Sequence, residues 1–178
     1  ALAERMAERG GLLVVDEAFM DADPRESLAG ECGRPGLLVL RSFGKFTGLA
    51  GLRLGFALGE RETIAAVSAR LGPWAVSGPA LCVARHLLAD GARFEPLRAG
   101  IAARARLTRD TLRAAGLDPR GDAALFALVE TMEAGALFAR LAARRVLVRP
   151  FRQRPDWLRF GTVRDEAEAR HLREALRP

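Results

Sequence analysis

One lysine stands in a chain that otherwise takes its positive charge from arginine. Of 28 basic residues, only Lys45 is a lysine. A guanidinium stays protonated and is a poor nucleophile, whereas an amine can lose its proton and attack a carbonyl carbon. A chain so strongly biased towards arginine has reason to keep an amine only where guanidinium cannot do the chemistry. Chance survival of a single lysine is the plain alternative, and the surroundings of Lys45 weigh against it.

Those surroundings contain other chemically useful groups. Asp16 follows the apolar run Leu12 to Val15, and Lys45 follows the run Gly36 to Leu40 and the residues Arg41, Ser42, Phe43 and Gly44. Arg53 lies further along the same glycine-rich stretch. An acid at a strand end often only caps the next turn, so Asp16 alone says little. Taken together, a carboxylate, a unique amine and an anion clamp are the parts needed to hold pyridoxal 5′-phosphate (PLP). Lys45 can form an imine with the aldehyde, and Asp16 can keep the pyridine nitrogen protonated so that the ring accepts electrons. Arg53 and Ser42 can clamp the phosphate, the arginine through paired charge-assisted hydrogen bonds and the serine through a neutral one.

The elements that must position these groups alternate between strands and helices. Leu2 to Arg9 reads as a helix ended by Gly10 and Gly11. Strands are expected at Leu12 to Val15, Gly36 to Leu40 and Leu54 to Leu58, with Gly44 to Gly55 a glycine-rich loop holding Lys45. In an open α/β sheet, chemistry gathers at the carboxyl ends of the strands, which puts Asp16 and Lys45 at one site edge. Helices are expected at Glu60 to Leu71, Pro79 to Ala89 and Leu97 to Ala115, the last with Leu97, Ile101, Ala105 and Leu112 on one apolar side. Then come strands at Ala124 to Val129, Val146 to Arg149 and Leu158 to Thr162, and helices at Glu133 to Arg144 and Asp165 to Leu176. This second part reads as a small α+β unit. The expected division is 1–105 and 106–178, inside the long helix, although no Pro/Ser-rich linker marks it.

Composition excludes several classes. Nearly half the residues are apolar and 28% are charged, the balance of a soluble globular protein. No apolar run approaches the roughly 20 residues that span a bilayer. The opening ALAERMAERG has no signal-peptide pattern, so a cytoplasmic location is expected. Cys32 and Cys82 are far apart and read as free thiols. His86 and His171 are isolated, and no metal site is expected. The net charge of +6 invites a nucleic-acid reading. However, the basic residues are spread over several helices and interleaved with acids, as in Glu166, Arg170 and Glu174 at helical spacing, and no nucleic-acid motif accompanies them.

The segments VVDEAF and RSFGKFTGLAGLRLGF resemble the fold-type I PLP enzymes of the histidinol-phosphate aminotransferase group. Within that group the chain is most similar to the threonine-phosphate decarboxylases of cobalamin synthesis. The resemblance implies an α/β fold: the C-terminal part of a three-layer α/β/α large domain plus a small α+β domain, with the N-terminal part of the enzyme absent. It also implies Lys45 as the Schiff-base lysine, Asp16 as the pyridine-nitrogen partner, and Ser42 and Arg53 as phosphate ligands. Near the end, RRVLVRPF and WLRFGTVRDEAEA resemble two substrate-binding strands, which implies Arg149 for a substrate phosphate and Arg159 for a substrate carboxylate. A homodimer acting on a small phosphorylated amino acid is expected from the same resemblance.

Two departures bear on the reaction. Aminotransferases of the group carry tyrosine where Phe19 stands, its hydroxyl bonded to the cofactor 3′-oxygen, and this chain has no tyrosine. Phe19 therefore leaves the cofactor ring electronically different, which favours a decarboxylase, although simple strand packing also accounts for a phenylalanine there. Gly44 stands where many relatives carry a second phosphate-binding serine. Histidinol-phosphate aminotransferase and a noncatalytic fragment of the fold are the alternatives. Trp74 and Ser77 in GPWAVSGP are placed either near substrate or in core and turn packing.

Overall fold

The computed structural model describes residues 2–177. The chain divides into two compact units, Ala1–Leu97 and Arg98–Pro178, and each has its own sheet. No helix among the described residues is long and apolar enough to cross a membrane.

In the first unit, the sheet has the order β1 (Leu13–Asp16), β2 (Leu37–Ser42), β3 (Gly55–Gly59). Strands β1 and β2 are parallel, with Asp16 opposite Leu40, while β3 returns antiparallel with Gly55 opposite Ser42. The run Leu37 to Val39 is buried because β2 is the central strand, and such strands read as continuous apolar stretches. The crossover between the parallel strands is built from 3-10 turns at Met20–Ala22, Pro24–Glu26 and Ala29–Glu31 rather than from a long helix. Helix α1 (Leu2–Ala7) passes close to the start of β2. A side chain on Gly36, which has φ +74°, would put its Cβ 2.6 Å from the Ala3 carbonyl oxygen, so only glycine permits that approach.

Lys45 lies in a short helix, α2 (Phe43–Thr47), where the sequence suggested a loop. Two glycines in the stretch disguise it, and the helix is held by packing rather than by propensity. Phe43 and Phe46 are buried, and Phe43 meets Phe56 edge to face at 6.3 Å between ring centroids. Phe46 packs on Phe94 at 5.5 Å. Helix α3 (Arg61–Leu71) stops at Gly72, which has φ +74°. Helix α4 (Gly78–Leu88) starts at Ser77, whose hydroxyl accepts a hydrogen bond from the Ala80 N–H. From α4, Ala84 and Leu87 pack with Phe43, Leu54 and Phe56.

Helix α5 (Phe94–Ala114) runs from the first unit into the second. The second sheet is antiparallel in the order β4 (Pro119–Arg120), β5 (Phe126–Glu130), β7 (Trp157–Gly161), β6 (Arg149–Pro150). Alternation in β5 and β7 buries Ala127, Val129, Leu158 and Phe160 against Leu137 and Leu141 of α6 (Ala134–Ala143) and Leu172 and Leu176 of α7 (Glu166–Leu176). The opposite face of these strands is only partly covered.

Strand β6 is shorter than the sequence suggested. Arg145 adopts φ +61°, and the Val146 N–H still bonds the Leu141 carbonyl at 2.9 Å, so the residues after α6 close the helix before the chain can join the sheet. Strand β4 was not anticipated, because two residues including a proline leave no periodic signal. On α5, the buried side includes Thr108 and Thr111 beside Ile101, Ala105 and Leu112, whereas Leu97 is only partly buried. On α7, Glu166 pairs with Arg173 at 3.6 Å, while Arg170 forms no ion pair among the described residues.

Candidate active site

The strand register brings the expected cofactor residues of the first unit to one edge of its sheet. Strands β1 and β2 run in the same direction, and β2 continues two residues past Leu40, the partner of Asp16, which places Asp16 and Ser42 at neighbouring strand ends. Antiparallel pairing of Ser42 with Gly55 returns the Arg53 segment to that edge, and the Phe43 N–H bonds the Leu54 carbonyl at 3.2 Å. Lys45 is exposed on α2, whose two phenylalanines are buried beneath it. Its Nζ lies 5.6 Å from the centroid of the Phe19 ring, so the segment after Asp16 reaches the lysine. Phe19 is 43% exposed and therefore is not simple strand packing.

The side chains at this edge keep capacity for a ligand. Asp16 is exposed, and one carboxylate oxygen accepts a local hydrogen bond from the Ala18 N–H at 2.9 Å. Ser42 precedes α2 with extended backbone, and its hydroxyl makes no capping hydrogen bond. Arg53 is held in the left-handed region at φ +53°, a conformation that costs energy in a residue with a Cβ and recurs at ligand sites. Its guanidinium reaches only the Ala50 carbonyl, at 3.3 Å, and forms no ion pair among the described residues. Gly44 is required by the turn itself, since a Cβ there would lie 2.7 Å from the Ala50 Cα.

Sequence reasoning missed Glu17, which is 2% exposed between Asp16 and Ala18. Its Oε2 accepts hydrogen bonds from Arg41 Nη1 at 3.1 Å and Ser27 Oγ at 2.9 Å, and its Oε1 accepts one from the Leu28 N–H at 2.6 Å. Arg41 also contacts Asp21 at 3.2 Å. An acid and an arginine flanking two strand ends were the available signal, because buried charges require partners. Burial, reinforced by the Glu17 carboxylate, pushes the Cys32 thiol up and keeps it protonated. Cys82 is also free. Ser77 serves as a helix cap, and Trp74 is 90% exposed, which removes core packing as an account of it.

In the second unit, Arg149 and Arg159 are direct cross-strand partners on the less covered face of the sheet. Arg159 stacks over Phe126 at 5.4 Å and Arg149 over Phe151 at 5.7 Å. Nearby Arg120 and Arg154 both pair with Glu130, whereas Arg149 and Arg159 form no ion pair among the described residues. His86 lies against Arg93, and His171 Nε2 lies 3.1 Å from the Arg144 carbonyl oxygen, so both take structural contacts.

The family model for aminotransferase class I and II matches residues 1–176. The chain belongs to the class I and II aminotransferase family. Among curated members it is 48% identical to a threonine-phosphate decarboxylase from Pseudomonas aeruginosa, over 97% of this chain and 52% of that protein. It is 45% identical to a threonine-phosphate decarboxylase from Sinorhizobium sp, over 99% of this chain and 53% of that protein. The chain thus spans about half the length of the curated relatives it matches. Among solved members, a histidinol-phosphate aminotransferase from Sinorhizobium meliloti in complex with PLP superposes with TM-score 0.81 at 26% identity. That match covers 98% of this chain and 51% of the other. The L-threonine-O-3-phosphate decarboxylase from Porphyromonas gingivalis superposes with TM-score 0.77 at 23% identity, over 98% and 56%. The expected fold-type I architecture is therefore correct, with this chain carrying a mixed α/β portion of it.

Proposed function

We propose that the full-length enzyme is a PLP-dependent lyase that decarboxylates L-threonine O-3-phosphate to (R)-1-amino-2-propanol O-2-phosphate in cobalamin biosynthesis. The identity of 48% to a curated threonine-phosphate decarboxylase, extending over 97% of this chain, is the observation that carries the reading. The donor set at the sheet edge fits the cofactor: an exposed amine, a carboxylate with free acceptor capacity, a serine hydroxyl not used for capping, and a guanidinium without a carboxylate partner.

When bound, PLP supplies an aldehyde for Lys45 and a ring that takes up the electron pair left when a bond to Cα breaks. Asp16 holds a proton on the ring nitrogen, and Ser42 and Arg53 hold the cofactor phosphate. Phe19 offers an apolar ring face beside Lys45 where a tyrosine would offer a hydroxyl. Arg149 is assigned the substrate phosphate and Arg159 the substrate carboxylate. In the net reaction the Cα–carboxylate bond breaks, carbon dioxide leaves and a proton replaces it at Cα.

The small phosphorylated amino acid is the partner in this reading, and the enzyme is a cytoplasmic homodimer. These last two features rest on the family resemblance and are checked by fractionation and by light scattering of the full-length enzyme.

Borohydride reduction of the full-length enzyme with PLP, followed by peptide mapping, tests the assignment. The label is expected on Lys45 alone; a label elsewhere, or none, ends the PLP reading. Carbon dioxide release from threonine phosphate, assayed against 2-oxoglutarate consumption with histidinol phosphate, separates decarboxylase from aminotransferase. Transamination without carbon dioxide release would overturn the decarboxylase assignment.

A further inference from the structure

Glu17 and Arg41 flank the candidate site without belonging to it. Each is adjacent in sequence to a proposed cofactor residue, Glu17 to Asp16 and Arg41 to Ser42. The two form an ion pair at 3.1 Å, with side chains 1% and 17% exposed. The Glu17 N–H bonds the Leu40 carbonyl at 2.8 Å, so the β1–β2 ladder runs to the point where the side chains meet. Both Glu17 oxygens are occupied, one by Arg41 and Ser27 and the other by the Leu28 N–H. Arg41 completes the bridge to Asp21 in the 3-10 crossover.

We infer that Glu17 and Arg41 are positioning residues whose buried ion pair sets the spacing between Asp16 and Ser42. The inference rests on the cofactor roles proposed above for those two residues. Main-chain pairing aligns β1 with β2, but their register ends at Asp16 and Leu40, two residues short of Ser42, and strand ends are free to splay. A paired charge out of water has few alternative arrangements, because separating it leaves each ion without solvation. The crossover between β1 and β2 contains no long helix to brace them, so this function falls to side chains. Glu17 is suited to it because it gathers donors from β2 and from two points of the crossover.

The test uses the full-length enzyme with E17Q and R41K. E17Q keeps the shape and one acceptor oxygen, enough for the Leu28 N–H, but it puts an amide donor where Oε2 accepted from Ser27 and Arg41 and removes the charge that faces Arg41. R41K keeps the charge and loses the fork that spans Glu17 and Asp21. PLP affinity is measured by titrating the apoenzyme, and the pH midpoint of the visible absorbance band is measured on the loaded enzyme. E17Q is expected to weaken PLP binding by about tenfold and to move the band's pH midpoint, with the substrate KM changed less than kcat. R41K is expected to lie between E17Q and the parent.

Folded variants with unchanged PLP affinity and unchanged pH midpoint would overturn the inference. Failure of both variants to fold would also overturn it, by making the pair a stability element alone. A wild-type enzyme without a PLP band would remove the functional reading itself, a result distinguishable from the other two.

Discussion

Arg149 and Arg159 stand directly opposite each other across the β6–β7 ladder. Like charges at such positions repel, and their Cβ atoms are typically only about 4.5–5.5 Å apart. Each guanidinium rests on an aromatic face, and neither has a carboxylate partner among the described residues. A bound anion would offset this repulsion. On the assignment proposed above, R149A and R159A each lower kcat/KM for the phosphorylated substrate by about 10- to 100-fold, the equivalent of roughly 1.5–3 kcal/mol for a charged hydrogen bond. Both variants are expected to keep or slightly raise the thermal midpoint in the absence of anions, because the repulsion is gone. Steady-state kinetics and thermal unfolding with and without phosphate check the two outcomes together.

Gly44 sets how closely α2 approaches the turn after it. The substitution G44S would place a Cβ 2.7 Å from a backbone carbon, which no rotamer change relieves. Overpacking of this kind costs about 1–3 kcal/mol. Here it displaces the helix that carries Lys45. We expect G44S to lower stability in denaturant unfolding and to weaken PLP binding, although the introduced hydroxyl could otherwise serve a phosphate. A stable variant with tighter PLP binding would contradict this.

Thr108 links α5 to the segment after β7. Its hydroxyl is fully buried, donates to the Arg104 carbonyl at 2.8 Å and accepts from the Val163 N–H at 2.9 Å. T108V keeps the volume and leaves that buried N–H without a partner, at a cost of about 1–3 kcal/mol. T108S is expected to lose much less. Urea unfolding of the two variants distinguishes the lost hydrogen bond from lost packing.

Asp165 caps α7 through a hydrogen bond from the Glu168 N–H at 2.9 Å, and that bond holds its carboxyl below the usual range. Because the folded state favours the ionised form, the contribution is complete above about pH 4 and disappears as pH falls through the lowered value. D165A should therefore destabilise the protein at neutral pH and converge on the parent in acid. D165N, which retains a capping oxygen, should behave almost like the parent at neutral pH. Thermal midpoints measured from pH 7 to pH 2 test the convergence.

The sequence by itself determined the family and most of the elements. Residue type alone identifies a sole lysine among arginines, and the apolar runs around Val14 and Val39 mark the strands whose ends hold Asp16 and Ser42. Local signals were enough for α3, α4, α5, α6 and α7: the last four each bury one side, and α3, which has no buried residue, is marked by the acids near its start and by Gly72 and Pro73 at its end. Only the tertiary structure decided the rest. The helix carrying Lys45 forms because Phe43 and Phe46 find partners distant in sequence, against the tendency of Gly44 within it. The crossover after β1 is organised by one buried carboxylate whose three partners, Ser27, Leu28 and Arg41, come from the crossover and from β2, and no local pattern encodes that meeting. The face-to-face placement of Arg149 and Arg159 likewise depends on strand register. Register reflects which side chains can be buried together, and that is a property of the folded chain rather than of any short stretch of it.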